Sequence, residues 1–128
     1  MKIYLAAPYS SMNQMQEWRR KLEIAGHTCT ARWIDGNEEG MTLAAAAQRD
    51  LDDIDAVDAV ISKILPAGAM FTSGGRHVEF GYAVARNKIL IVVGPDAENI
   101  FHNLPTVVRV DTIDHALLWL VAADLEDT

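Results

Sequence analysis

Five short apolar runs rich in strand-forming residues alternate along this chain with stretches whose apolar residues recur at helical spacing. That alternation narrows the fold to one class. Lys2–Ala6 reads as a first strand, closed by the Pro8-Tyr9-Ser10 break. Met12 to Ala25 has helical spacing and stops at Gly26. Thr28–Trp33 alternates like a strand and runs into the loop Asp35–Gly40. Thr42 can cap a helix reaching about Asp58, and Ala59–Leu65 is a third strand, interrupted by Pro66 and Gly68. The Gly74-Gly75 turn opens a helix to about Asn87. Ile89–Val93 reads as a buried strand and Val107–Val110 as a fifth. Asp111 or Thr112 then caps a last helix ending near Asp124. Strands alternating with helices predict an α/β fold with a parallel sheet. Ligands of such sheets sit beyond the carboxyl ends of the strands. Pro8–Ser10, Asp35–Gly40, Ala67–Gly75 and Gly94–Asn103 all fall there.

The 128 residues form a single domain, 1–128, with no repeat or linker, and are enough to bury a sizeable core. Eighteen acidic against eleven basic residues give a formal net charge of −7. A binder of long nucleic acid needs a basic stripe, and none is visible, so DNA and RNA are not expected partners. A single phosphate-bearing metabolite needs only one cation and a few N–H groups. Cys29 is the lone cysteine, which excludes a disulfide framework and a cysteine-based zinc site. The apolar start is too short for a signal peptide, and no segment approaches membrane-spanning length. A soluble cytoplasmic protein is the expectation.

The stretch TSGGRHVEFGYA, Thr72 to Ala83, carries the most chemistry. Gly74 and Gly75 permit a tight bend and close approach to a ligand. The N–H groups of the helix start behind them favour an anion such as phosphate. The same positive end favours an ionised Glu79, about one turn in, and an ionised carboxylate can act as a nucleophile. A turn that merely starts a helix, with Glu79 complementing its dipole, accounts equally for these residues alone.

On the helix from Thr42 to Asp58, Leu43, Ala47, Ile54 and Val57 form an apolar stripe, with Asp50 in its middle. An acid aimed at a core must be partnered or face a cavity. Asp50 is therefore either a buried partner of Arg32 or Arg49, or a site residue. Asp52, Asp53, Asp55 and Asp58 read as solvated. Asp50 and Glu79 thus stand out, and paired carboxylates are the equipment for breaking a glycosidic bond. No metal-ligand spacing, Walker motif or G-x-G-x-x-G fingerprint is present, so neither a metal nor a dinucleotide cofactor is expected. Trp18 shares a face with Met15, Leu22 and Ala25 and belongs to the core. Trp33 does too, although it can reach a pocket beside the Asp35–Gly40 loop. On the last helix Ile113, Ala116, Leu117, Leu120 and Val121 form the packing stripe, with Trp119 on its flank.

KIYLAAPYS, RDLDDIDAVDAVI and GGRHVEFGYAVARNKILIVVG together resemble the nucleoside 2-deoxyribosyltransferase family and its nucleoside 5′-monophosphate N-glycosidase relatives. The resemblance spans nearly the whole chain. It implies a flavodoxin-like or Rossmann-like three-layer fold with a five-stranded parallel sheet. It implies Glu79 as the nucleophile that forms a glycosyl–enzyme intermediate, and Asp50 as the residue that contacts the base or aids proton transfer. Ala7 to Ser10 are implied to line the base and sugar pocket, with Tyr9 stacking. In the family a neighbouring subunit completes the site, and Asn103 is the nearest match to its contribution, so a homodimer or larger homo-oligomer is implied.

Transferases of the family carry a second Asp six residues before the nucleophile, where this chain has Ser73. The monophosphate-hydrolysing branch carries a Ser there, touching the 5′-phosphate. A hydroxyl before two glycines suits phosphate, whereas an Asp repels it. Ser73, Gly74 and Gly75 are therefore expected to hold the 5′ end. Arg76 either adds a charge-assisted contact or sits on the surface, and His77 points elsewhere on the helix. Two rivals stay open: a nucleotide-binding sensor without turnover, and a phosphoribohydrolase of the cytokinin-activating type, whose longer G-G-x-G-T run is missing here.

Overall fold

The computed structural model describes residues 1–36, 38–66 and 74–126. Five strands, β1 (Lys2–Ala6), β2 (Thr28–Cys29), β3 (Ala59–Lys63), β4 (Ile89–Val93) and β5 (Val107–Val110), form one sheet. Four helices join or follow them: α1 (Met12–Ile24), α2 (Leu43–Asp55), α3 (Gly75–Ala85) and α4 (Ile113–Glu126). All neighbouring strands pair in parallel, in the order β2-β1-β3-β4-β5. The order reverses between β1 and β3, which makes the crevice at their carboxyl ends the natural ligand position. α2 packs on α3. α1 is tied to α4 by Lys21–Asp114 at 3.2 Å, so the helices flank the sheet as two outer layers. The core follows from the continuous apolar runs of the central strands, each buried on both faces. Ile3, Tyr4, Leu5, Val60, Ile61, Ile91 and Val92 are all essentially solvent-free.

Several expectations are corrected at element ends. The second strand stops at Cys29 rather than Trp33, because Arg32–Asp35 coil into a short 3₁₀ helix. Asp53 holds that coil, accepting the Arg32 backbone N–H at 3.0 Å and its Nε at 2.9 Å. The Trp33 indole donates to the Leu5 carbonyl at 2.8 Å. Asp53 is accordingly only 6% exposed and not the solvated residue expected from the sequence. β3 ends at Lys63, and the ladder to β4 stops one amide later. Ile64 still donates to the Val93 carbonyl, but the Leu65 N–H goes to Glu98 Oε1 at 2.7 Å.

The apolar stripe of α2 is buried only in its C-terminal half, through Ile54 and the following Val57. Leu43 is 91% exposed and Ala47 is also exposed, because this half stands clear of the sheet. In α1, Met15, Trp18 and Leu22 are buried as expected, whereas Ala25, past the helix end, is exposed. In α4, Val121 faces outward, while Trp119 packs partly buried against the core.

Candidate active site

The crevice beyond β1 and β3 is a cavity of about 290 Å³. Most of its walls are the starts or ends of elements, and Asp50 enters from the middle of α2. Ala7 and Pro8 leave β1, and Tyr9 and Ser10 begin the 3₁₀ turn that leads into α1. Trp33 comes from the coil after β2, and Glu38 from the loop that follows. Asp50 is on α2, while Gly74, Gly75, Arg76 and Glu79 open α3. The cavity therefore gathers Ala7, Tyr9, Ser10, Asp50, Gly74, Gly75, Arg76 and Glu79, all singled out from the sequence. Ser73 lies outside the described residues. Asn103 does not line this cavity; it is exposed, its side-chain amide 3.5 Å from the Asn99 carbonyl.

Gly74 has φ 80°, a left-handed conformation that glycine adopts without penalty, and caps α3. The N–H groups of Gly75 and Arg76, at the first two helical positions, have no acceptor within the helix. A Cβ at Gly74 or Gly75 would meet nothing within 4 Å among the described residues.

Glu79 is the fifth residue of α3, beyond the first turn, so the helix end does little for its charge. Burial dominates and, with the nearby Asp50 charge, pushes its carboxyl up to about 8. The expectation of a carboxylate held ionised by the helix start is thereby corrected. One group opposes the shift: the buried Tyr4 hydroxyl donates to Glu79 Oε2 and favours the ionised form. Tyr4 itself is held neutral by burial and by the two carboxylates. Asp50 is pushed up to about 6, first by burial and then by the charge of Glu38. Its Oδ1 is buried without a hydrogen-bond partner among the described residues. Arg32, one of the two partners expected for it, is engaged by Asp53.

Arg76 is 4% exposed, which rules out a surface role. Its two terminal nitrogens make a bidentate pair with Glu98, at 2.7 and 2.6 Å. Glu98 also takes the Leu65 N–H, and its own N–H donates to His102 Nδ1 at 3.1 Å. This network fastens the segment after β4 to the start of α3. His77 lies 3.6 Å from Glu98, on the side of α3 away from the cavity lining.

Sequence reasoning missed Tyr4, Glu38 and Glu98. Tyr4 left a usable signal, because a tyrosine inside an otherwise aliphatic strand must find a partner for its hydroxyl. Glu38 and Glu98 are loop carboxylates whose positions depend on the path of the chain, and no spacing rule marks them.

A family model described as nucleoside 2-deoxyribosyltransferase matches residues 3–117. The chain belongs to the nucleoside 2-deoxyribosyltransferase family. Solved structures share the fold at low identity. The 2-deoxyribosyltransferase from the bacterium Bacillus psychrosaccharolyticus aligns over 91% of this chain and 90% of its own, with TM-score 0.71 and 19% identity. The CMP N-glycosidase from Clostridium botulinum aligns over 95% and 99%, with TM-score 0.64 and 21% identity. A 2-deoxyribosyltransferase from Leishmania mexicana aligns over 80% and 69%, with TM-score 0.61 and 20% identity. A search of curated protein sequences finds no significant match. As a member of the nucleoside 2-deoxyribosyltransferase family, the chain is an enzyme of N-glycosidic bond transfer or cleavage in nucleosides or nucleotides. Among the described residues, no group of three or more His, Cys, Asp or Glu side chains is arranged to hold a metal ion, and no helix is long and apolar enough to cross a membrane.

Proposed function

We propose that this protein hydrolyses the N-glycosidic bond of nucleoside 5′-monophosphates through a covalent glycosyl–enzyme intermediate. The observation that carries this reading is the convergence of Glu79 and Asp50 on one cavity whose rim is the Gly74-Gly75 turn. The Glu79 carboxylate attacks the anomeric carbon as the bond to the base breaks. The bonding electrons leave with the base, which takes a proton from the Asp50 carboxyl. Water then gives a proton to the Asp50 carboxylate and attacks the same carbon, releasing Glu79. Tyr4 holds the Glu79 carboxylate in position and shares its charge through the hydroxyl. Ser73, with the first N–H groups of α3, holds the 5′-phosphate.

One observation favours a second reading, in which a free nucleoside is the substrate and another base the acceptor. Both terminal nitrogens of Arg76 are already committed to Glu98, whose carboxylate offsets much of the charge this cation could set against a phosphate dianion.

Release of free base, followed by chromatography over ribo- and deoxyribonucleosides and their 5′-monophosphates, with and without a second base, separates the readings. Base release from monophosphates alone supports the hydrolase. Exchange on free nucleosides establishes the transferase and removes the phosphate argument. Glu79→Gln is expected to bind nucleotide while losing several orders of magnitude in turnover. Binding without turnover in wild type and variant alike would make the protein a sensor.

A further inference from the structure

The base-binding end of the cavity presents acceptors. Tyr9 and Trp33 form an aromatic corner, their ring centroids 6.3 Å apart and tilted by 39°. Beside them two carboxylates face the same space, Glu38 from the loop after the 3₁₀ coil and Asp50 from α2. Arg49 lies 3.5 Å from Glu38 and is not among the residues lining the cavity; Arg32 is turned to Asp53. Asp50 Oδ1 is buried and has no donor among the described residues, although nearly every buried polar atom of a folded protein has a partner. A ligand in this cavity is positioned to supply one.

Resting on the reading of the cavity as a nucleotide site, we propose that Glu38 and Asp50 select bases carrying an exocyclic amino group beside an unprotonated ring nitrogen. Cytosine and adenine are such bases, and uracil and hypoxanthine are their oxo counterparts. The chemistry follows from what each edge offers. A protonated Asp50 donates to the ring nitrogen through one oxygen, while its Oδ1 accepts from the amino group. Glu38 accepts the second amino proton. An oxo base at the same place sets its carbonyl against the Glu38 carboxylate, a repulsive contact, and pairs with Asp50 only once the carboxyl proton has moved to Oδ1. The amino contact therefore accompanies the protonation that releases the base, and Glu38 carries the selectivity.

The cytidine and uridine monophosphates, and the adenosine and inosine monophosphates, differ by this one substitution. Their dissociation constants are measured below pH 6, where Asp50 is protonated, by quenching of tryptophan fluorescence on the Glu79→Gln protein, so the result does not depend on turnover. Tighter binding of the amino member in at least one pair is expected, by roughly 10–100-fold for hydrogen bonds to charged acceptors. Adding Glu38→Gln, whose amide can donate to a carbonyl, is expected to narrow that ratio at least tenfold. Glu39→Gln, an exposed neighbour, is expected to leave it unchanged, and thermal melting of each variant confirms folding. Equal affinity within both pairs, a preference for the oxo members, a ratio insensitive to Glu38→Gln, or no binding of any nucleotide overturns the proposal. Amino selectivity in binding with no base release from wild type would retain this inference and sink the hydrolase reading instead.

Discussion

At the scale of single residues, the decisive relation is between two carboxyls raised to different extents. Asp50 sits near 6 and Glu79 near 8. Between those values the pair holds one proton, and the larger share of it resides on Glu79. The proposed mechanism requires the reverse arrangement, an ionised Glu79 and a protonated Asp50. That form is the minor one of the singly protonated pair. Positive charge developing on the sugar in the transition state favours it. Below pH 6 both groups are protonated and the nucleophile is lost; above pH 8 both are ionised and the proton donor is lost. A bell-shaped profile of kcat/KM is therefore expected, flat between about pH 6 and 8 and falling on either side. The substrate phosphate also titrates near about 6, so the basic limb is the diagnostic one. Asp50→Asn is expected to remove that limb and to lower the rate by about 10²–10⁴. A profile of Asp50→Asn that still falls above pH 8 would assign the proton donor elsewhere. That these two carboxyls stand apart from the other acids was legible in the sequence, and they do line one cavity; their protonation was not legible. It depends on burial and on Tyr4 and Glu38, which the fold brings from distant positions.

At the scale of elements, the strand runs were the most legible part, because β-branched runs such as Ile89–Val93 have few other uses. The second strand was misread for a reason that sequence spacing cannot contain. Thr28 to Trp33 alternates correctly, yet Asp53, more than twenty residues later, pulls Arg32 into a coil and places Trp33 at the cavity wall. The N-terminal half of α2 was misread because periodicity names a stripe without saying how far the sheet extends beneath it. One junction invites a direct test. Gly94 closes β4 and donates its N–H to the Val110 carbonyl at 2.9 Å. A Cβ built there would lie 2.6 Å from the Ile64 Cβ and 3.4 Å from the Ile64 carbonyl oxygen. Neither neighbour is a flexible tip, so the strands must shift to make room. Gly94→Ala is expected to cost about 1–3 kcal/mol, read from the denaturant midpoint at unchanged slope. An unchanged midpoint would mean that the β3 and β4 ends yield freely, and that the Glu98 segment beyond them is less firmly seated than its bonds to Arg76 and Leu65 indicate.

At the scale of the whole molecule, the question is whether one chain holds a complete site. The walls described here are all its own, yet Asn103, matched by resemblance to a residue that serves a neighbour, is exposed and outside the cavity lining. If Asn103 acts in catalysis, it acts on the cavity of a second copy. That arrangement has a quantitative signature in mixed variants. In a two-fold dimer, equal amounts of Asn103→Ala and Glu79→Gln chains redistribute into one half mixed dimers and one quarter of each parent. In each mixed dimer, the site built on the intact Glu79 receives an intact Asn103 from its partner, while the other site has lost both. One site in four is then whole, so mixing two nearly inactive proteins is expected to restore about one quarter of wild-type activity. Exchange of subunits, verified by mass spectrometry of differently labelled chains, must accompany the recovery. Redistribution without recovery would confine Asn103 to a structural role. A single species at monomer mass by sedimentation would mean that the cavity works with its own residues alone.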